Sequence, residues 1–513
     1  METQHAARVA EEKIGKINSL VTNHQSSFFQ PKADEPLAQK RSNVMNAARF
    51  IRSGLMTALA IFLVSGIAFG QGILKNGGVI RNTGSATYKE IQNYKGESHG
   101  TILNSGTLST TKDGSGSGNF LNTDGARVDT IRNYIGGFGN GTLVVVGNIT
   151  NNVAGCTIDN DSTVGLSTIK IAGTINNTNG TFTTTRGRVW YNGGAQAVLA
   201  TTYGALVADQ AGAKTLADST AVNDSLRIDN SASLAVSTFP MNLLGATNAQ
   251  QNSATLSAAS GTVYYAGDRD QSIIPAQYKV LTLTGATTAA RTKTSAEGLS
   301  FAPSGQLKVD TNDTLYVSAG NLDLSTNTPT LINSAAIKVA GDATFHGGIT
   351  NAGMFYYDGT GPQNIGAVTY ANLRLGASGA KTFPNGGTVA VAGNFTIDPG
   401  TGTRTYAGST FQFAGTSGTQ AVSNLAESFN ILQFTGGAAK TLGGLTFSAN
   451  RMDLSSGTGT VTNNVTTVTL ANISTISMTI ASGTELVNNG SLSMNGNLEN
   501  DGILTNTGSI GVY

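Results

Sequence analysis

Between residues 190 and 443 the chain writes one loose phrase four times: WYNGGAQAVLATTYGALVADQAGAKTL from Trp190, YYAGDRDQSIIPAQYKVLTLTGATTAARTKT from Tyr264, YYDGTGPQNIGAVTYANLRLGASGAKTF from Tyr356 and FQFAGTSGTQAVSNLAESFNILQFTGGAAKTL from Phe411. Each copy runs through an aromatic, Gly, Gln, a short apolar patch, a second aromatic, an alternating strand and a glycine turn, and three close on Ala-Lys-Thr. Self-similarity at tens of residues is the mark of stacked units that bury a continuous core against their neighbours. Such architectures build surfaces more readily than reaction centres.

Composition says which units stack. The 513 residues include 65 Gly, only 12% charged residues and 39% apolar ones. That is enough apolar surface to fold, and the low charge is unlike a disordered chain. Short runs with apolar residues two apart recur, as in TLVVVGNITN (142–151), TIKIAGTINN (168–177), KVLTLTG (279–285), NLRLGA (372–377), NFTIDPG (394–400) and SLSMNGNLEN (491–500). Spacing by two puts side chains on one face of a strand, and each run ends at a Gly, Asn or Asp turn signal. The fold expected is all-β, a right-handed parallel β-helix or β-solenoid. Tandem antiparallel β-sandwich repeats are the alternative.

The repeat intervals favour the solenoid. Gln196, Gln271, Gln363 and Gln420 lie 75, 92 and 57 residues apart, close to whole multiples of a coil of about 18.5 residues. A sandwich does not readily lose a third of its strands, whereas a stack loses whole coils. At about 4.8 Å per coil, roughly 24 coils would give a rod on the order of 115 Å. Asn-rich phrases such as VNNGSLSMNGNLENDGILTNTGSIG (487–511) suit side-chain amide ladders up the stack.

The run LMTALAIFLVSGIAFG (55–70) follows Arg41, Arg49 and Arg52 and ends on small residues. A basic region, a compact apolar core and a small-residue site predict a secretory signal peptide cleaved between Gly70 and Gln71. The run falls short of the roughly 20 apolar residues that span a bilayer, which sets the alternative of a membrane anchor second. The expected organisation is therefore 1–44, an extended or over-called N-terminus with a helical stretch at 5–20; 45–70, the signal peptide; 71–140, N-terminal solenoid coils; 141–450, the central solenoid with the four long copies; and 451–513, Asn- and Gly-rich C-terminal coils. The expected location is extracellular or at the cell surface.

Charge and residue chemistry narrow the function classes. Residues 71–513 carry 23 basic and 25 acidic side chains, so no basic face is available for a nucleic acid backbone, and no nucleic acid partner is expected. Cys156 is the single cysteine and reads as a small buried hydrophobe. The close carboxyl pairs Asp159/Asp161, Asp268/Asp270 and Asp310/Asp313 lie among Asn, Ser, Thr and Gly, where turn residues bonding their own backbone are the economical reading. Asp159-Asn160-Asp161-Ser162-Thr163 lacks the central Gly and closing Glu of a calcium loop. Only His99 and His346 follow residue 70. The residues thus predict no catalytic group, no metal and no cofactor. Trp190, Tyr191, Tyr264, Tyr265, Tyr356 and Tyr357 are the candidate ligand-stacking positions. Adjacent strand residues face opposite ways, so one ring of each pair is expected outside and the other in the core.

With aromatic-x-Gly, Gln, Tyr-x-x-Leu-x-Leu and Lys-Thr-Leu in place, residues 71–513 resemble the β-strand repeats of secreted bacterial surface proteins, the autotransporter-like and filamentous-haemagglutinin-like adhesins. The resemblance implies a non-enzymatic stalk or adhesive passenger displayed at the outer membrane or beyond it. Its expected partners are a cell-surface or matrix polysaccharide, or a protein of a host or neighbouring cell. No translocator barrel or anchor is visible before Tyr513, and an uncovered strand edge at the last coil carries an expectation of end-to-end self-association. The alternatives are a carbohydrate-active β-helix enzyme, a polysaccharide lyase or hydrolase, and a self-assembling filament subunit.

Overall fold

The computed structural model describes residues from Ile73 to Tyr513, with its longer breaks at 94–100, 111–119, 123–129 and 133–140. The expected helical stretch at 5–20, the signal segment and the border near 140 lie outside the described residues. Those described are all-β, stacked as a solenoid of about 17 turns.

Every described strand pairing is parallel and joins one coil to the next. Thr168–Ile171 lies on Thr142–Val145, and the end of Thr181–Tyr191, from Arg188 to Tyr191, lies on Thr168–Ile171, residue over residue. Parallel pairing throughout excludes the antiparallel sandwich alternative. The alternating runs all become strands, most with inner and outer residues in succession, although in the run 279–285 Leu281, Thr282 and Leu283 are all buried. Thr142–Val145, Thr168–Ile171 and Ser491–Met494 each expose their first and third positions more than their second and fourth. Inside, the buried hydrophobic residues from Ala86 to Met494 form one cluster.

Coil length departs from the constant unit the glutamine intervals suggested. Ile73 sits on Glu90, Gln196 on Lys214, Leu281 on Leu307 and Ile91 on Phe120. One circuit thus takes anywhere from 17 residues, as between Ile73 and Glu90, to 35, as between Thr107 and Thr142, and the stack has fewer, longer coils than 24. The physical reason is that register is imposed only on the strands, where inner side chains must meet their neighbours. The intervening loops face outward and tolerate insertion.

Amide ladders run up the stack as expected. Asn463 Nδ2 donates to Asn488 Oδ1 at 2.7 Å, and Asn488 Nδ2 donates in turn to Asn506 Oδ1 at 2.7 Å. Asn463 and Asn488 are buried, so each amide both donates and accepts where water does not reach. Cys156 is fully buried beneath Thr157–Asp159, as a small hydrophobe would be.

Candidate functional site

The four copies place the same residues in the same geometry. In each, the second residue of the leading pair points inward over an apolar residue of the coil below: Tyr191 over Ile171, Tyr265 over Leu243, Tyr357 over Val339 and Phe413 over Val391. The chain then turns through a glycine (193, 267, 359 or 415), and the glutamine that follows points back into the stack.

That glutamine is buried and fully bonded. Gln363 Oε1 accepts the Gly359 N–H at 2.7 Å, while its Nε2 donates to Val339 O at 3.1 Å and Gly341 O at 2.6 Å on the coil below. Gln196 does the same with Gly193, Ile171 and Gly173, and Gln271 with Gly267, Leu243 and Gly245. Gln420 repeats it with Gly415, Val391 and Gly393. One side chain thereby pairs the turn's N–H and the glycine carbonyl of the coil below, and adds a second bond to a strand carbonyl that already accepts a backbone N–H, as Val339 O does from Asp358.

One coil further on, directly over each glutamine, stands a lysine: Lys214 on Gln196, Lys293 on Gln271, Lys381 on Gln363 and Lys440 on Gln420. All four lysines are fully buried. Each ammonium returns to the same glycine that holds the glutamine. Lys214 Nζ donates to Gly193 O at 2.8 Å, Lys381 Nζ to Gly359 O at 3.1 Å and Lys440 Nζ to Gly415 O at 3.0 Å, and Lys293 Nζ bonds Gly267 O. The glycine is the hub of the motif, giving its N–H to glutamine and its carbonyl to lysine. Its lack of a side chain is required: a Cβ on Gly193 would stand 1.8 Å from Ala172 O. Burial pulls all four ammonium groups below their ordinary range, Lys440 to about 8.

The candidate stacking rings divide as strand geometry requires. Tyr191, Tyr265 and Tyr357 have no exposed surface and offer no face to a ligand. Their hydroxyls meet those of Tyr203, Tyr278 and Tyr370 at 3.0, 3.3 and 2.9 Å. Each pair then ties down one backbone loop, as where Gly366 N–H donates to the Tyr357 hydroxyl and the Tyr370 hydroxyl donates to Gly366 O. Burial pushes Tyr191 and Tyr265 up to about 12. In the fourth copy Phe413 and Phe429 take the two ring positions, and the core there is an aromatic cluster with Phe411.

Trp190, Tyr264 and Tyr356 lie on the outer face, half-buried. Trp190 carries the Lys170 ammonium 4.4 Å above its ring and donates its indole N–H to Asp209 at 2.8 Å. Tyr356 belongs to a longer strip in which Tyr316, Lys338, Tyr356 and Arg374 follow one another on successive coils. Lys338 Nζ lies 4.6 Å from the Tyr316 ring and 5.3 Å from the Tyr356 ring, and the Arg374 guanidinium lies 4.6 Å from Tyr356. Asp398 closes the strip, accepting from the Tyr356 hydroxyl at 2.7 Å and from Arg374 at 2.9 Å. Partial burial works against the charged form of Asp398, yet the bonds from Arg374 and Tyr356 outweigh it and hold the carboxyl below its usual range.

The remaining carboxylates serve the stack. Asp161 accepts the Arg186 N–H at 2.9 Å, Asp268 pairs with Arg291 at 3.0 Å, Asp270 accepts the Thr292 N–H at 2.8 Å, and Asp310 pairs with Lys308 at 2.9 Å. Asp159 accepts the Asp161 N–H, a local turn bond. Asp313 is fully buried beside Lys293.

Reading the sequence isolated the glutamines and the Ala-Lys-Thr ends but not their union. The signal was present: the intervals from Gln to Lys are 18, 22, 18 and 20 residues, one coil each. Equally legible in retrospect is the apolar-x-Gly of the coil below, Ile171-Ala-Gly173, Leu243-Leu-Gly245, Val339-Ala-Gly341 and Val391-Ala-Gly393. Comparison with family models, with curated proteins and with solved structures finds no match to this chain.

Proposed function

We propose that this chain is a secreted or cell-surface structural and adhesion protein, a non-catalytic solenoid whose stacked coils present a repetitive outer face. One observation carries the reading. The phrase that recurs four times is spent on stacking, with its Gln and Lys bonded to one shared Gly and its inner aromatic turned into the core. A repeated binding or catalytic motif would instead turn its polar groups toward solvent.

The outer face supports the same reading, since the carboxylates that could have served glycoside chemistry hold backbone N–H groups and cations, Asp161, Asp268 and Asp270 on the next coil and Asp310 on its own. The basic and apolar run that ends at Gly70 supports export, and the resemblance to adhesin repeats supports display. The outer strip from Tyr316 to Arg374 is the face on which a surface polysaccharide or a neighbouring cell's protein would lie; Trp190 and Tyr264 belong to a separate sheet.

The test is expression of the full chain in a Gram-negative host, followed by fractionation, N-terminal sequencing and protease treatment of intact cells. The expected result is a mature chain beginning at Gln71, found outside the cytoplasm. Recovery from the cytoplasm with residues 1–70 intact would overturn the proposal.

A further inference from the structure

Of the four buried glutamine–lysine steps, the second differs in two ways that bear on covalent chemistry. In the first, third and fourth, the ammonium donates to backbone carbonyls. In the second, Lys293 Nζ also reaches the glutamine side chain itself, 2.8 Å from Gln271 Oε1. It is also, among the described residues, the one buried lysine of the four in an ion pair, with Asp313 Oδ1 at 3.5 Å. Amine, amide and carboxyl therefore meet inside the core, where Lys293 and Asp313 have no exposed surface and Gln271 has almost none.

We infer that Lys293 and Gln271 form an intramolecular isopeptide bond that stitches adjacent coils, with Asp313 as the catalytic proton carrier. The ammonium of Lys293 passes one proton to the Asp313 carboxylate, an exchange that turns a buried ion pair into two neutral groups and that low dielectric favours. The free amine then attacks Cδ of Gln271. The carbonyl is polarised for this, since Oε1 accepts from the Gly267 N–H at 3.1 Å, and that donor stays in place as the oxygen gains charge. The bond from Nζ to Cδ forms and the bond from Cδ to Nε2 breaks. Nε2 starts from fixed bonds to Leu243 O at 2.9 Å and Gly245 O at 2.7 Å, which orient the amide for its departure. Asp313 receives a proton from the attacking nitrogen as it gives one to the leaving nitrogen, so ammonia departs and no oxidant or cofactor is consumed. Burial supports the chemistry further by pulling the Lys293 amine below its ordinary range and by keeping out water that would compete with it for Cδ.

The experiment is intact mass and tryptic mapping of the purified full chain after boiling in denaturant. The expected result is a mass lower by one ammonia and a branched peptide joining residues 270–279 to 292–308. The pairs Gln196/Lys214, Gln363/Lys381 and Gln420/Lys440 serve as controls in the same digest and should remain separate. Recovery of residues 270–279 and 292–293 as separate, unmodified peptides from folded protein overturns the inference, whatever the variants do. Asp313→Asn should abolish the link while hydrogen exchange at Leu315 and Val317 shows the coil still formed. A link that survives in Asp313→Asn overturns the role of Asp313. Lys293→Arg, which keeps the charge but cannot attack, should restore the lost ammonia to the mass.

Discussion

Gln363 and Lys381 stand in register on adjacent coils and share one glycine: Gly359 donates its N–H to the glutamine and accepts the lysine ammonium through its carbonyl. The same arrangement at Gln196, Gln271 and Gln420 makes the step a recurring means of bringing a polar turn into an apolar column. Its energetic sense is that of satisfaction more than attraction. Net gain per hydrogen bond is about 1 kcal/mol, whereas each buried group left unpaired costs roughly 1–3 kcal/mol.

Replacing Gln363 with Leu removes three side-chain bonds and strands the Gly359 N–H together with the Gly341 carbonyl, while Val339 O keeps its bond from the Asp358 N–H. The expected cost is about 3 kcal/mol or more, confined to the coils around Val339, Gln363 and Lys381 because solenoid units couple mainly to their neighbours. Hydrogen exchange should show lost protection at Gly359 and Lys381. Protection at Leu206 and Leu226, many coils away, should not change.

Stability should pass through a maximum near pH 10. Burial holds Lys440 at about 8 in the fold, against about 10.4 in an unfolded chain. Between these values the unfolded chain keeps a proton that the folded one has released, so stability rises with pH, and the gain is lost as pH falls through about 8. Tyr191 and Tyr265 work in the other direction, pushed up to about 12 by burial from about 10. Their contribution is complete below about pH 10 and is lost as pH rises toward 12. Thermal melts from pH 7 to 12 check both limbs, and Lys440→Met should flatten the rise near its own coil.

Arg404 lies over Lys381 and forms a two-pronged ion pair with Glu427, whose side chain is 3% exposed. Arg404→Met leaves a buried carboxylate without its partner, and the expected loss is about 3–5 kcal/mol. Arg404→Met with Glu427→Leu should recover most of it. A double-mutant cycle in denaturant measures the difference, and equal losses in the single and the double variant would show that the pair is not the cause.

Two glycines that look alike in the sequence should behave oppositely. Gly193→Ala would set a methyl 1.8 Å from Ala172 O, and the backbone must shift; the expected cost is roughly 1–3 kcal/mol. Gly361→Ala meets nothing within 4 Å and should stay within about 0.5 kcal/mol of the parent. Melting temperatures of the two variants decide the matter.

What the amino-acid sequence determined by itself was the class of structure: period-two runs made the strands, Gly and Asn closed them, and internal repetition implied stacking. It also divided Trp190 from Tyr191 and Tyr356 from Tyr357, because neighbouring strand residues must face opposite ways. What only the tertiary structure decided was which residue stands over which. Loops of free length separate the strands, so Gln271 meets Lys293 after 22 residues and Gln363 meets Lys381 after 18. Coil length was therefore not a constant that spacing could reveal. The same freedom put Asp313 beside Lys293, since such a contact depends on inner-face register from coil to coil, which is set by packing around the shared core.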